Sequence, residues 1–75
     1  MIKATNFSLE NDKDGIGKTV RASLVADTSA EVTAQGTSGD GIIGLSKNDT
    51  LSFGSTCLCK NGDFGMLGSD GQWTF

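Results

Sequence analysis

The chain has 75 residues, 36% of them hydrophobic, with 6 Lys and Arg against 9 Asp and Glu for a net charge of -3, two cysteines and no histidine. So short a chain makes one domain and buries only about 60% of the surface it exposes when unfolded, which leaves a small core in need of a disulfide, a metal or a partner subunit. The composition argues against a zinc site within one chain, against nucleic acid, for which there is no basic stripe, and against a membrane span, since no run approaches about eighteen apolar residues.

Residues 1–27 predict an N-terminal hairpin, with strands over Lys3–Glu10 and Lys18–Asp27 around the loop Asn11-Asp12-Lys13-Asp14-Gly15. In the second strand Val20, Ala22, Leu24 and Ala26 share one face and Thr19, Arg21, Ser23 and Asp27 take the other, the period of a half-buried strand. In the first, Ile2 and Ala4 have opposite parity to Phe7 and Leu9, which places a bulge near Asn6. Residues 28–35 admit two readings. Thr28 followed by Glu31 fits a capping box and Gly36 a helix C-terminus, giving one short helix; Val32, Thr33 and Gln35 would equally serve a strand.

Residues 36–75 predict a glycine-turn meander. Of the 11 glycines only Gly15 and Gly17 precede it, and proline is absent, so Gly, Asn and Asp must make the turns. Asn48-Asp49, Asn61-Gly62 and Asp70-Gly71 read as two-residue hairpin loops. That register sets Cys57 opposite Met66 and Met66 opposite Phe75. Leu51, Phe53, Cys57, Cys59, Phe64, Met66, Trp73 and Phe75 then collect on one core face, with the Trp73 ring over Gly68. The expected fold is an all-β antiparallel meander, folded as a sandwich or barrel.

On that register the opposite face presents Ile43, Leu45, Leu58 and Leu67, with Gly54 and Gly65 leaving room for another chain to approach. An apolar face of this kind marks an interface, and self-association is the economical way to cover it. The other arrangement is a sheet curled into a small barrel that carries scattered apolar residues outside.

Four local patterns invite chemistry, and each has a plainer explanation. Gly39-Asp40-Gly41-Ile42-Ile43-Gly44 matches the letters of a dinucleotide fingerprint but leads into a strand and a turn, not a helix. Gly15-Ile16-Gly17-Lys18-Thr19 ends like a phosphate-binding loop whose first glycine would fall at Asp12, where a carboxylate repels phosphate. Glu10, Asp12 and Asp14 before Gly15 are spaced like the first ligands of a calcium loop, yet the closing position falls on Arg21. Cys57-Leu58-Cys59 puts both thiols on one side of a strand, with α-carbons about 6.5 Å apart and poorly aimed for a disulfide. Buried thiols are the leading reading; the others are a metal or disulfides shared between subunits. No general base is present beside the serines, and the carboxylates sit mostly at turns, so no catalytic residue, cofactor or metal site is expected.

The stretch Asn61-Gly62-Asp63-Phe64-Gly65-Met66-Leu67-Gly68-Ser69-Asp70-Gly71-Gln72-Trp73 resembles in style the glycine-turn meanders of short bacteriophage virion proteins of head-decoration or tail type. The resemblance covers the last forty or so residues and implies a role in particle assembly, with a homo-oligomer or a larger protein assembly as partner. Residues 1–35 carry no signature of such a family. Met1–Asn6 lacks the apolar stretch of a signal peptide, so synthesis in the cytoplasm, with the virion as destination, is the expectation. The alternative function is a monomeric binding module, a small inhibitor or regulator acting through the loops at Asp12–Gly15 or Thr37–Gly41.

Overall fold

In the computed structural model, which describes residues 1–12 and 16–75, the elements follow in the order β1 (Ile2–Asp12), β2 (Lys18–Ala26), α1 (Ser29–Gln35), β3 (Thr50–Leu51), β4 (Thr56–Cys59), β5 (Phe64–Leu67) and β6 (Trp73–Thr74). The strands make one sheet, ordered β1-β2-β4-β5-β6, with β3 beside β2 just ahead of β4. The expected mostly-β class with one short helix is therefore what the chain adopts. The sheet is open rather than closed into a barrel, and mixed rather than antiparallel throughout. β2 and β4 run parallel because α1 and the segment after it carry the chain back across one face, the long return that a parallel neighbour requires.

β1 and β2 pair antiparallel from Ile2↔Ala26 to Asp12↔Lys18, as the sequence predicts. The register shifts once between Ala4 and Asn6 and again between Leu9 and Asn11, so the parity change along β1 is a bulge at the expected place. Val20, Ala22, Leu24 and Ala26 are all buried. The hairpin lengthens the sheet at its edge and does not lie over either face.

The capping box decides residues 28–35 in favour of helix. Glu31 N–H donates to Thr28 Oγ1 at 3.3 Å while the Glu31 carboxylate accepts from the N–H groups of Asp27 and Thr28. Seven residues would not hold a helix in isolation, and tertiary contacts fix this one at its middle and its C-terminal end. Val32 is fully buried against the sheet, and Gly36, at φ +61°, ends the helix with its N–H on Val32 O and its carbonyl accepting the Trp73 Nε1–H at 2.9 Å.

The two C-terminal hairpins form, but each with a three-residue loop where a two-residue loop is predicted. Leu58 faces Phe64, Cys57 faces Gly65 and Thr56 faces Met66; in the second hairpin Met66 faces Thr74 and Leu67 faces Trp73. Gly62 N–H closes a turn on Cys59 O at 2.9 Å and Gly71 N–H one on Gly68 O at 3.0 Å, with φ of +94° and +81°. Asn-Gly and Asp-Gly supply the second and third residues of such a loop as readily as both residues of a shorter one, since each puts glycine where φ is positive. The slip of one residue turns β5 over. Gly65 and Leu67 face inward, while Phe64 and Met66 face out at 56% and 52% exposure, contrary to the predicted core face; Phe53 is likewise exposed. Trp73 does pack against the core, but the ring over a β5 glycine is Phe75, lying on Gly65, and not Trp73 on Gly68.

The core is the inner face of this sheet: Ile2, Val20, Ala22, Leu24, Ala26, Leu51, Cys57, Cys59 and Leu67, capped by Val32 of α1 and Ile42. Two buried polar residues hold the irregular parts to it. Between β3 and β4 the parallel ladder is interrupted, and Ser55 Oγ takes the place of a backbone acceptor, receiving the Ala22 N–H at 3.1 Å and donating to Ser52 O at 2.8 Å. Asp49 is no hairpin corner. It is buried, and its carboxylate accepts the N–H groups of Lys18 at 3.0 Å and Ser46 at 2.8 Å, which docks the 46–49 turn onto the start of β2. Gly17 sits against that turn so closely that a β-carbon there would lie 2.1 Å from Asn48 O.

Candidate functional site

The outer face of the central strands leaves four apolar side chains, Val25, Leu58, Phe64 and Met66, in solvent. In one row across the sheet Lys3 faces Val25, Val25 faces Leu58 and Leu58 faces Phe64. In the next, Ser23 faces Thr56, Thr56 faces Met66 and Met66 faces Thr74. With strands about 4.8 Å apart, Val25, Leu58 and Phe64 run side by side over about 10 Å, and Met66 adjoins Phe64 two residues along β5. Leu58 is 50% exposed and Val25 37%. Helix α1 and the 36–49 segment cover the inner face only, and β1 adds to the sheet's width, so no described element lies over this row.

Charged groups border it at both ends. At one end Lys60 Nζ pairs with Asp27 Oδ1 at 3.0 Å, and Lys60, then the Met1 ammonium, hold the Asp27 carboxyl below its ordinary value. A shallow groove of about 410 Å³ opens there, lined by Met1, Lys3, Val25, Ala26, Asp27, Leu58, Cys59 and Lys60. At the other end Arg21 Nη2 pairs with Glu10 Oε1 at 2.9 Å, Arg21 Nε donates to Phe53 O, and the guanidinium lies 4.7 Å from the Phe53 ring centroid. A hydrogen bond from Ser52 Oγ, followed by the charge of Arg21, lowers the Glu10 carboxyl.

The structure divides the sequence-predicted interface residues. Leu58 lies on the outer face, and Ile43 is exposed, bridged to Lys3 at the far edge of β1. Leu67 and Gly65 are buried on the inner face, where the Phe75 ring fills the space beside Gly65; Leu45 is half-buried against the core. The space at Gly54 is taken by the Arg21 side chain, 3.1 Å from where a β-carbon would stand. Sequence reasoning missed Val25, Phe64 and Met66 as members of the face. Val25 shares the parity of Thr19, Arg21 and Ser23 and could have been placed there from the alternation of its strand; the apolarity of Phe64 and Met66 spoke for the core, and only the loop length, which the Asn-Gly and Asp-Gly pairs leave open, puts them outside.

The motif-like stretches have structural roles. Lys18 of the phosphate-loop pattern begins β2 and its ammonium lies 3.7 Å from Asp49; the glycines from 39 to 44 form turns around Ile42, which is buried. In the calcium-like loop Glu10 is engaged by Arg21 and Ser52, while residues 13–15 and the Asp12 side chain lie outside the described residues. Both cysteines are free and buried, and burial, then the neighbouring Cys59, pushes the Cys57 thiol up to about 12, so it is neutral and unreactive at ordinary pH. Among the described residues no cluster of three His, Cys, Asp or Glu is placed to hold a metal ion, and no helix is long and apolar enough to cross a membrane. Comparison of the chain with protein-family models, with curated proteins and with solved structures gives no match.

Proposed function

We propose that this chain is a non-enzymatic assembly module that covers its outer sheet face by packing against a second copy or against a larger particle of which it is a part. The observation that carries the reading is the choice of what faces inward on β5: Gly65 is buried while Phe64 and Met66, far larger and apolar, stand in solvent beside Leu58 and Val25. A chain with so small a core gains most by burying its large apolar residues. Leaving these outside is the economy of a surface that becomes buried on assembly. The outer charges support a passive role, since Glu10, Arg21, Asp27 and Lys60 are engaged with one another in pairs. The resemblance of residues 61–73 to phage virion meanders makes a virus particle the natural setting.

Light scattering on wild type and Leu58→Lys tests the reading. Wild-type molar mass should rise with concentration through the micromolar range. Leu58→Lys, which would bury an unpaired charge at the contact at a cost of about 3 kcal/mol, should weaken association roughly 100-fold while leaving the circular dichroism unchanged. A wild type that stays monomeric at high micromolar concentration overturns packing against a second copy and favours the monomeric binding module.

A further inference from the structure

Strand β1 is the edge of the sheet, and only part of that edge is closed. In β2, Ala22 N–H donates to Ser55 and Val20 O accepts from Ser52, so these residues turn their backbone groups toward β3 and β4. The β1 residues opposite them, Phe7 and Leu9, must then turn theirs the other way, out of the sheet. The same alternation holds at Ile2 and Ala4, opposite Ala26 and Leu24, whose outward groups are met by Ile43: Ile43 N–H donates to Ile2 O at 3.0 Å and Ala4 N–H donates to Ile43 O at 2.8 Å. Beyond Ala4 the segment around Ile43 no longer follows β1. Among the described residues, nothing pairs with the N–H and C=O groups of Phe7 and Leu9. Their side chains, on the helix side of the sheet beside Ala22 and Val20, are 43% and 55% exposed.

We propose that this open segment pairs with the same segment of a second copy, antiparallel about a two-fold axis through Ser8, so that two sheets join edge to edge. The unpaired groups say what fits there: an extended backbone, because only a strand offers donors and acceptors at this spacing. The register follows from the same groups. An outward-facing residue must oppose another, and setting Phe7 against Leu9 of the second copy, with Leu9 against its Phe7, satisfies all the open groups of both strands. Centring the pair on Phe7 or on Leu9 satisfies only some of them. In the proposed register directly opposed side chains share a face, so two phenylalanines and two leucines meet on the helix side and extend the apolar inner layer across the junction. On the other side Ser8 meets Ser8 and Asn6 meets Glu10, with no like charges opposed. The bulges after Ala4 and after Leu9 bound the regular pairing, and the Ile43 clip stops it from running further.

This contact uses backbone and an edge, and is independent of the outer-face contact proposed above. A chain bearing both would build a closed tetramer or an open array instead of a dimer, which is the behaviour of a particle component.

The two are separated by working in the Leu58→Lys protein, where the outer face no longer associates. Raising its concentration from micromolar to millimolar should slow hydrogen exchange at the Phe7 and Leu9 amides by about tenfold or more, while Ser8, already bonded within the hairpin, changes little. A sample mixing labelled and unlabelled copies should show contacts between Phe7 of one and Leu9 of the other. Leu9→Pro in the same background removes an N–H that points out of the sheet, so the hairpin tolerates it and the concentration dependence should vanish. Unchanged exchange at Phe7 and Leu9 at millimolar concentration, or intermolecular contacts in another register, overturns the proposal. If Leu9→Pro does not fold, the exchange and labelling measurements on its parent decide the matter alone.

Discussion

Truncating Leu67 and Met66 to alanine, one at a time, tests the three-residue loops on which the outer face depends. Leu67 is 1% exposed, with its N–H on Ser55 O and its carbonyl accepting from Gly54, so its side chain is surrounded by the core and its backbone is pinned. Deleting three buried carbons removes about 2.4 kcal/mol of transfer free energy at about 0.8 kcal/mol per methylene, and the cavity left behind brings the loss to about 3 kcal/mol. Met66, half exposed beside Thr56 and Thr74, should lose under about 1 kcal/mol. A domain of this size has a stability of about 4–11 kcal/mol, so Leu67→Ala takes a large share of it. With about 4–8 °C lost per kcal/mol, its melting point falls by more than about 10 °C while that of Met66→Ala falls by less than about 8 °C. Urea titration with a common slope, checked by circular dichroism and Trp73 fluorescence, reads both variants. If Met66→Ala proves as damaging as Leu67→Ala, the loops have two residues, β5 presents its other face, and the outer surface described above does not exist.

Two further outcomes are expected. Ser55→Ala leaves the buried Ala22 N–H without an acceptor and should cost about 1–3 kcal/mol in urea unfolding, more than a surface Ser→Ala such as Ser69→Ala; equal effects would mean that the β3–β4 break is satisfied in some other way. At Asp49 burial works to raise the carboxyl, but the N–H groups of Ser46 and Lys18 and the Lys18 charge outweigh it and hold the folded-state value below the ordinary one. The stability this supplies is present above the unfolded-state value of about 3.9 and drains away as pH falls through the lower folded-state value. Wild-type melting temperature should therefore drop below about pH 4, and Asp49→Asn, less stable at neutral pH, should drop less steeply over the same window. Parallel pH profiles for the two proteins would remove Asp49 from the account.

What the sequence by itself determined is local. The alternation of Val20, Ala22, Leu24 and Ala26 announces a half-buried strand and the parity change before Phe7 announces a bulge, because each signal lies within a few residues; Thr28, Glu31 and Gly36 offer the two ends of a helix without excluding a strand over residues 28–35, and the capping hydrogen bonds of the folded chain decide between them. Cys57 and Cys59 read as core for the same reason, two small apolar side chains on one side of a strand. What only the tertiary structure decided is which side of β5 and which neighbours of β2 the chain selects. The Asn-Gly and Asp-Gly turns are satisfied by either loop length, so the one-residue difference is settled by Leu67 seating in the core and by Ser55 and Gly54 binding its backbone. The parallel pairing of β2 with β3 and β4 is settled by Val32, Ile42 and Asp49 docking across the sheet from positions distant in sequence. A single-residue slip reverses every side chain of a strand, which is why Leu58 kept its predicted place on the outer face while Leu67 and Gly65 yielded theirs to Phe64 and Met66.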